Sequence, residues 1–594
     1  MERFDGGKTD NRILSRLFIK AEGAYIASDG LRAIGSIVNL TFVSLYTGVG
    51  GVTAMGYIVP LILIFEMIGS DLNIGSRNKV FESIGKGDLE EADRAFSTSL
   101  ILGMILAGVM SVAAGVFASK IAFLLEIRDP EIHRMTVLYI RGYVIGFPFF
   151  ALTKILNAYL YIEGKYKMIG ITATMATVSR IAATAVVVFG IHGGMFAIGL
   201  AVSIGYIIPF FPVAAFFFSG KSCSVFHFRL RYFGFGLSRE ILVLGASMCI
   251  AKGSTAAGGI LINNLLTSMN VPYLVASYGI FSQLSGAVRF AWNAPADALF
   301  SFAKVFIGEE DRGALKELQK IALAHAFYAT FALTFIFLIF ARQILGIYLR
   351  TDDAQAVKLG IECIRVASLS FPFRAIVYNF RNYLMSVKRM KFCNIYAFLV
   401  ECGVIVPVTF LMTRMLGGSG AWGGKVVSMI LLSLFAVLYI LKTGEGVSFS
   451  DKMLLLPENF GVDAADEIAV IIRSTKELFL LSKVAVVFAV EHGADEERSM
   501  TYGLLVEEMS DILTQRGFSE GKANTVNVRL VAKDEDLIFR LRDDCELFNP
   551  LDYYKAIKDI REKIDHLALA VIMENARDVR YTAAFGANNL IVRI

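Results

Sequence analysis

Long apolar blocks recur in this chain between about residue 24 and residue 441, as at 101–117, 182–218 and 322–340. A bilayer core about 30 Å thick takes roughly 20 apolar residues per helix, and the blocks meet that length repeatedly. One such block could be the core helix of a soluble protein; roughly a dozen could not. The chain has 594 residues, 55% of them hydrophobic, and a mean hydropathy of +0.59. An ordinary soluble protein, whose whole surface must face water, is excluded. The polar opening MERFDGGKTDNR lacks the short apolar core of a cleavable signal peptide.

Basic residues gather in alternate loops: Arg77, Lys79 and Lys86; Lys165 and Lys167; Lys221, Arg229, Arg231 and Arg239; Arg312, Lys316 and Lys320; Lys388, Arg389 and Lys391. Positive charge is retained on the cytoplasmic side of a membrane, which predicts a cytoplasmic N-terminus. With an even number of crossings the C-terminus is predicted to be cytoplasmic too, in a multi-pass protein of the plasma membrane. The six cysteines show neither zinc-ligand spacing nor an obvious external disulfide pair.

The membrane region repeats itself. YIRGYVIGFPFFALTKILNAYLYIEGKYK, from Tyr139, aligns without a gap on CIRVASLSFPFRAIVYNFRNYLMSVKRMK, from Cys363; Arg141 falls on Arg365, an offset of 365 − 141 = 224. Ile84-Gly85 with Asp88 falls on Ile307-Gly308 with Asp311, an offset of 307 − 84 = 223. Matched Arg, Pro and Asp positions at a near-constant offset are not explained by chance among Leu-rich helices. The fold expected is a polytopic all-α membrane protein of about 12 transmembrane helices in two six-helix lobes, 1–218 and 219–442, related by a parallel repeat. Such repeats place a substrate site between the halves.

Ionisable side chains at membrane depth line cavities or pair with one another. Glu66 lies inside the second apolar segment, with Ser70 and Asn73 on the same helical face and Asp71 rotated away. A carboxylate there could carry a proton or a cation, or form a structural hydrogen bond. The offset carries Glu66 onto Arg289, which suggests a Glu66–Arg289 contact made in one access state and broken in the other. Asn39 corresponds to Asn263, with Asn264 beside it; these amides contact substrate or, more simply, bridge helices. Asp297 sits in the eighth segment, and Arg374 follows the second Phe-Pro-Phe, placed to recognise an anion or to neutralise a carboxylate such as Asp297.

The stretch GYIVPLILIFEMIGSDLNIGSRNKVFESIGKGDLEEADRAF resembles the second helix, loop and third helix of the multidrug and toxin extrusion (MATE) family. Pro60, Gly69, Gly75, the Gly85-Lys-Gly-Asp88 turn and Glu91-Ala92 carry the likeness, which extends over roughly residues 12–442. It implies an export cleft between two lobes, driven by proton or sodium entry; the wider superfamily also contains polysaccharide-lipid flippases. Many bacterial members carry an acidic residue in the first helix. Here residues 40–48 read LTFVSLYTG, with Val43 or a neighbour at that place, so the usual first-lobe cation site cannot be copied over.

After Leu441 the character changes. A polar connector is expected at 443–459 and a soluble α/β unit at 460–594, with strands at 468–472, 526–531, 536–542 and 589–594 and helices at 496–514 and 567–576. This unit resembles the histidine-kinase-like ATPase domains of the anti-sigma-factor type, an α/β sandwich. GLLVEEMSDILTQRGF matches the helix bearing that family's Glu-x-x-x-Asn, and LIFRLRDDCELFNPLDYY its Asp-x-Gly segment and Phe-x-Pro. The resemblance maps the glutamate onto Glu508, the metal-binding asparagine onto Ile512, the adenine-binding aspartate onto Asp543, the following glycine onto Cys545 and the Phe-x-Pro phenylalanine onto Phe548. Isoleucine offers Mg²⁺ no oxygen, and His566-Leu-Ala568 replaces a glycine-rich lid, so a degenerate site is expected and ATP with Mg²⁺ is a minor possibility.

The first functional reading is therefore a proton- or sodium-coupled exporter of small amphipathic or cationic compounds, embedded in the lipid bilayer. Two alternatives stand beside it: a lipid-linked saccharide flippase, and a transporter-derived sensor that engages a cytoplasmic regulatory protein through the C-terminal unit. No nucleic-acid partner is indicated. An enzyme is disfavoured, since no nucleophile–base pair, metal-ligand cluster or intact phosphate-binding loop is present.

Overall fold

The structure is a computed structural model that describes residues 11–85, 89–124, 129–163, 165–219, 227–269, 274–348, 354–462, 465–472, 475–516, 526–533, 535–543, 549, 572–584 and 587–594. In lipid every backbone polar group must be bonded within its own segment, and the apolar blocks accordingly form helices. They are α1 (Asn11–Gly85), α2 (Leu89–Val116), α3 (Pro130–Tyr143), α4 (Phe147–Ile162), α5 (Tyr166–Ala185), α6 (Gly194–Phe218), α7 (Phe235–Ser268), α8 (Leu274–Ala287) and α9 (Phe290–Gly308). The second set continues with α10 (Arg312–Ile339), α11 (Ala354–Ser368), α12 (Phe371–Ser386), α13 (Met390–Phe398), α14 (Ile405–Leu416) and α15 (Gly418–Thr443).

Among the described residues, seven helices are long and apolar enough to cross a membrane, or eight if the bent pair Phe235–Ala246 and Cys249–Leu266 is one span. That is fewer than the twelve crossings expected from the sequence. The other helical runs are α1 and the broken pairs α8–α9 and α11–α12. The 75-residue run α1 doubles back on itself. Tyr25 and Arg77, 77 − 25 = 52 residues apart, both reach Ser301 Oγ, at 3.4 and 2.6 Å; a straight helix would hold them about 78 Å apart.

The repeat is visible in the helix starts. Leu89 and Arg312 differ by 223; Phe147 and Phe371, Tyr166 and Met390, and Gly194 and Gly418 each differ by 224. Outward-facing apolar stripes, such as Met104, Val109, Val112 and Val116 on α2 and Phe335 and Ile339 on α10, are surfaces that lipid tails can cover. The two halves meet where α1 crosses α7. A Cβ on Gly75 would lie 2.0 Å from the Ile241 carbonyl oxygen, and one on Gly245 2.2 Å from that of Asp71. Only glycine permits so close a crossing.

The connector 443–459 is no loose tether. It returns along α10 and the cytoplasm-predicted ends of α12 and α13 as a strap. Leu454 and Leu455 are buried in the membrane region's own core, Tyr383 donates to the Leu454 carbonyl (2.8 Å) and Arg389 to that of Leu455 (2.9 Å). Lys316 pairs with Asp451, and Arg312 donates to the Glu458 carbonyl at 2.7 Å.

Beyond the strap lies a second unit with its own core. Five antiparallel strands, β1 (Glu467–Ile472), β2 (Val526–Lys533), β3 (Asp536–Asp543), β4 (Asp578–Ala584) and β5 (Ala587–Arg593), run in the order β1-β2-β3-β5-β4. Helices α16 (Thr475–Glu491) and α17 (Glu496–Arg516) supply the rest of that core. Strands β1, β2, β3 and β5 and helix α17 lie within two or three residues of their expected bounds, whereas α16 and β4 were not anticipated. Of the helix expected at 567–576, the described part is helical at 572–575.

Candidate functional site

Glu66 sits where the two halves face each other, and its ion pair is with Lys252 of α7, Nζ to Oε2 2.9 Å. Among the described residues it makes no ion pair with Arg289, the repeat-related partner suggested by the sequence. Arg289 stands at the N-cap position of α9 without a side-chain capping bond, and acts on Glu66 only as a more distant charge. Symmetry arithmetic misses Lys252 because a pseudo-twofold brings equivalent positions together only near its axis. The lone lysine in an otherwise uncharged stretch, 241–261, was the available signal.

Near the axis the arithmetic does hold. Arg77 and Ser301 differ by 301 − 77 = 224 and are hydrogen bonded; Arg77 also lies over the Phe300 ring at 4.9 Å. Asp297 accepts from Asn382 Nδ2 at 3.0 Å, and its carbonyl accepts from Ser301 at 2.9 Å. Close by, His325 of α10 meets Glu22 of α1 at 2.6 Å. The Arg77–Ser301 and Glu22–His325 contacts and the Gly75–Ile241 crossing tie the two halves together.

The remaining sequence candidates scatter. Asn39 bridges helices, accepting from Thr184 Oγ1 at 2.6 Å. Asn73 donates to the Lys154 carbonyl at 2.5 Å. Asp71 is buried against the close helix crossing at Gly245. Asn264 is exposed, and the side chain of Asn263 lies outside the described residues.

Arg374 pairs with no carboxylate among the described residues, Asp297 included. It donates to Ser285 Oγ at 3.0 Å and stacks over Trp292 (4.7 Å) and Phe371 (5.8 Å). Two groups near it went unnoticed in the sequence. Glu401 lies in a π-helical segment, Leu399–Gly403, a local widening often found at functional positions. It accepts from Thr255 (2.9 Å) and Tyr378 (3.0 Å), with Arg381 at 3.8 Å. Lys425 lies over the rings of Tyr278 (4.8 Å) and Phe281 (5.1 Å).

In the second unit, Asp543 is buried and accepts from Asn588 Nδ2 at 2.7 Å. Glu508 is half-buried on α17; the side chain of Ile512, and Cys545 and Phe548 entirely, lie outside the described residues. The charged contacts of this unit lie elsewhere, on the sheet face turned away from the core. Strand alternation puts Asn527 and Arg529 of β2, Arg540 and Arg542 of β3 and Asn589 of β5 on that face, where they grip the α9–α10 loop. Arg542 and Arg540 reach Glu309 at 2.5 and 3.3 Å, Asn589 donates to Glu309 at 2.8 Å, Arg540 pairs with Asp311, and Lys533 with Glu310. Burial alone would raise the Asp311 carboxyl, but the guanidinium groups of Arg540 and Arg529 outweigh it and hold the group well below the usual range. Arg529 and Arg540 are direct cross-strand neighbours, a like-charge pair that weakens a sheet unless acidic groups sit against it.

Residues 31–186 match the MatE family model. The probable multidrug resistance protein YoeA of Bacillus subtilis (strain 168) is 22% identical over 450 residues, covering 73% of this chain and 90% of that protein. An outward-facing multidrug resistance MATE transporter of the MOP superfamily superposes with a TM-score of 0.67 at 16% identity, covering 73% of this chain and 98% of its own. A MOP superfamily transporter from Pyrococcus furiosus, described as having a binding pocket of reverse polarity that suggests a different function, superposes equally well (TM-score 0.67, 16% identity, 72% and 94% covered). The membrane region thus has a MATE-like polytopic helical fold, and the relatives are named as transporters, not enzymes.

Proposed function

We propose that this chain is a MATE-type secondary active exporter that moves amphipathic compounds out of the cell through a cleft between its two repeat halves. The carrying observation is the Glu66–Lys252 pair, which ties α1 of the first half to α7 of the second at 2.9 Å. Charges at membrane depth persist when they serve a pathway or a coupling step. The loop charges favour a cytoplasmic N-terminus, and an even number of crossings, about twelve, would place the C-terminus on the same side. Entry of a proton or sodium ion onto Glu66 would loosen the pair and let the halves separate. The relatives' names as multidrug proteins support efflux of drug-like compounds. The second unit is read as a regulatory module of the histidine-kinase-like type, able to receive a cytoplasmic protein.

Efflux of a fluorescent amphipathic dye from cells making the wild type, Glu66→Gln or Lys252→Gln, with and without an uncoupler or a sodium gradient, tests this. Wild-type efflux should collapse with the gradient that drives it, and each variant should lose at least about tenfold in rate. Gradient-independent efflux, or full activity in both variants, overturns the reading.

A second reading has one observation behind it. The interior of the second half is basic, with Arg374, Arg381 and Lys425 set against Glu401, which suits anionic amphiphiles such as lipid-linked saccharides better than organic cations.

A further inference from the structure

Five helices of the second half, α8, α9, α11, α12 and α15, meet around an aromatic cluster, Tyr278, Phe281, Trp292 and Phe371, all buried. Phe281 and Phe371 stack at 6.1 Å, and Trp292 lies 5.5 Å from Phe371. Two cations lie against it. Arg374 is only 7% exposed, and its buried Nε has no hydrogen-bond partner. Lys425 is half-buried, and its Nζ has a single hydroxyl contact, Tyr278 Oη at 3.4 Å. The two are close enough to act on each other electrostatically, and Glu401 acts on Lys425 more weakly without pairing with it. No carboxylate among the described residues pairs with either, and Glu401 is already engaged by Arg381, Tyr378 and Thr255.

Two like charges beside an apolar cluster repel, and each carries a desolvation cost that no direct carboxylate partner among the described residues offsets. Ring faces return only part of that cost. A planar or tetrahedral anion between the two would satisfy the fork of Arg374 and the point charge of Lys425 together. The aromatic cluster would hold an apolar tail.

We infer that the second half contains a binding site for a compact anionic group, a carboxylate or phosphate on an amphipathic molecule, held between Arg374 and Lys425 beside the aromatic cluster. The inference deepens the transporter reading by naming a substrate class, and rests on it only for how a ligand reaches these two cations.

The chain's two tryptophans are Trp292 and Trp422. Trp292 lies under Arg374, and Trp422 stacks on Tyr278 at 6.2 Å, so their fluorescence reports on this cluster. Full-length protein in phosphatidylcholine nanodiscs is titrated with 6-bromohexanoate, whose bromine quenches tryptophan on contact, and with 6-bromohexyltrimethylammonium as its cationic counterpart. Saturable quenching by the carboxylate alone is expected, weakened at least about tenfold in Arg374→Gln and in Lys425→Gln. Arg374→Lys, which keeps the charge, carries the test if the glutamine variant does not purify as a single species. In discs containing phosphatidylglycerol, weaker apparent binding identifies a lipid phosphate as the natural occupant, and unchanged binding a free amphipathic anion. Quenching by the cation at equal concentration, or no change in either charge-removing variant, overturns the assignment. Because quenching needs no gradient, an inactive exporter with intact quenching counts against the transport reading. An active one without it counts only against this site.

Discussion

The two halves end in the same way and with opposite polarity. After α6 the first half folds residues 227–232 back onto the start of α2. Asp93 accepts the His227 amide at 2.7 Å, with the His227 ring at 3.6 Å, and Ser97 and Thr98 bind the same segment. After α15 the second half folds its strap onto the start of α10, where Lys316 pairs with Asp451. Asp93 and Lys316 differ by 316 − 93 = 223, and His227 and Asp451 by 451 − 227 = 224, so these are equivalent positions, with an acidic group on the helix in the first half and a basic one in the second. The adjoining loop diverges in the same direction: Gly85-Lys-Gly-Asp88 in the first half, Gly308-Glu-Glu-Asp311 in the second. The repeat therefore extends past the helices, and one copy has acquired the acidic groups that a basic sheet face can recognise. The lesson is that duplication supplied two equivalent docking ledges, and charge decides which one holds the extra unit.

The strongest way to break that difference is to write the first loop into the second. Glu309→Lys with Glu310→Gly leaves Arg542 buried without its carboxylate and Arg540 with Asp311 alone, a loss of about 3–5 kcal/mol. The unit should leave the ledge, exposing the strap to chymotryptic cleavage after Phe460, and Arg542→Glu added to the pair should restore part of the protection. Unchanged cleavage would mean that the ionic grip contributes little.

A smaller effect is expected from exchanging signs in the strap. Lys316→Asp or Asp451→Lys alone should destabilise the second half by about 1 kcal/mol, and the double variant should recover most of it. Thermal unfolding of the purified variants reads the cycle; additive losses would show that the two positions do not interact.

The smallest effect concerns pH. Burial would push the Asp311 carboxyl up, yet Arg540 and Arg529 hold it low. The contact is thus complete above about pH 4, where an unfolded aspartate is already ionised, and is lost as pH falls below that range and the carboxyl takes up a proton. Cleavage after Phe460 should not vary between about pH 6 and pH 8; a change in that interval would point to a histidine instead.

How far the sequence could be read follows from what each signal encodes. Hydropathy and the repeat located the helices and their equivalence, because burial in lipid dictates composition over whole segments. Strand alternation in β2 and β3 was legible for the same reason. The Glu66–Lys252 pair was not, since it depends on which faces of α1 and α7 meet. Lys425 and Glu401 look like isolated polar residues until five helices are assembled around them. The strap escaped notice because Leu454 and Leu455 are too few to register as an apolar block, although both are core residues.

Those two leucines bear on the order in which the protein is made. Residues 444–460 leave the ribosome only after α15 has been synthesised, so until then the bundle they cover is missing part of its interior. Completion of the second half therefore waits on sequence that belongs to no helix, and a product ending at Thr443 would present an open apolar seat to the quality-control machinery of the cell. Any fusion, truncation or reporter placed at this junction needs to begin beyond the strap, after Phe460, to leave the membrane region whole.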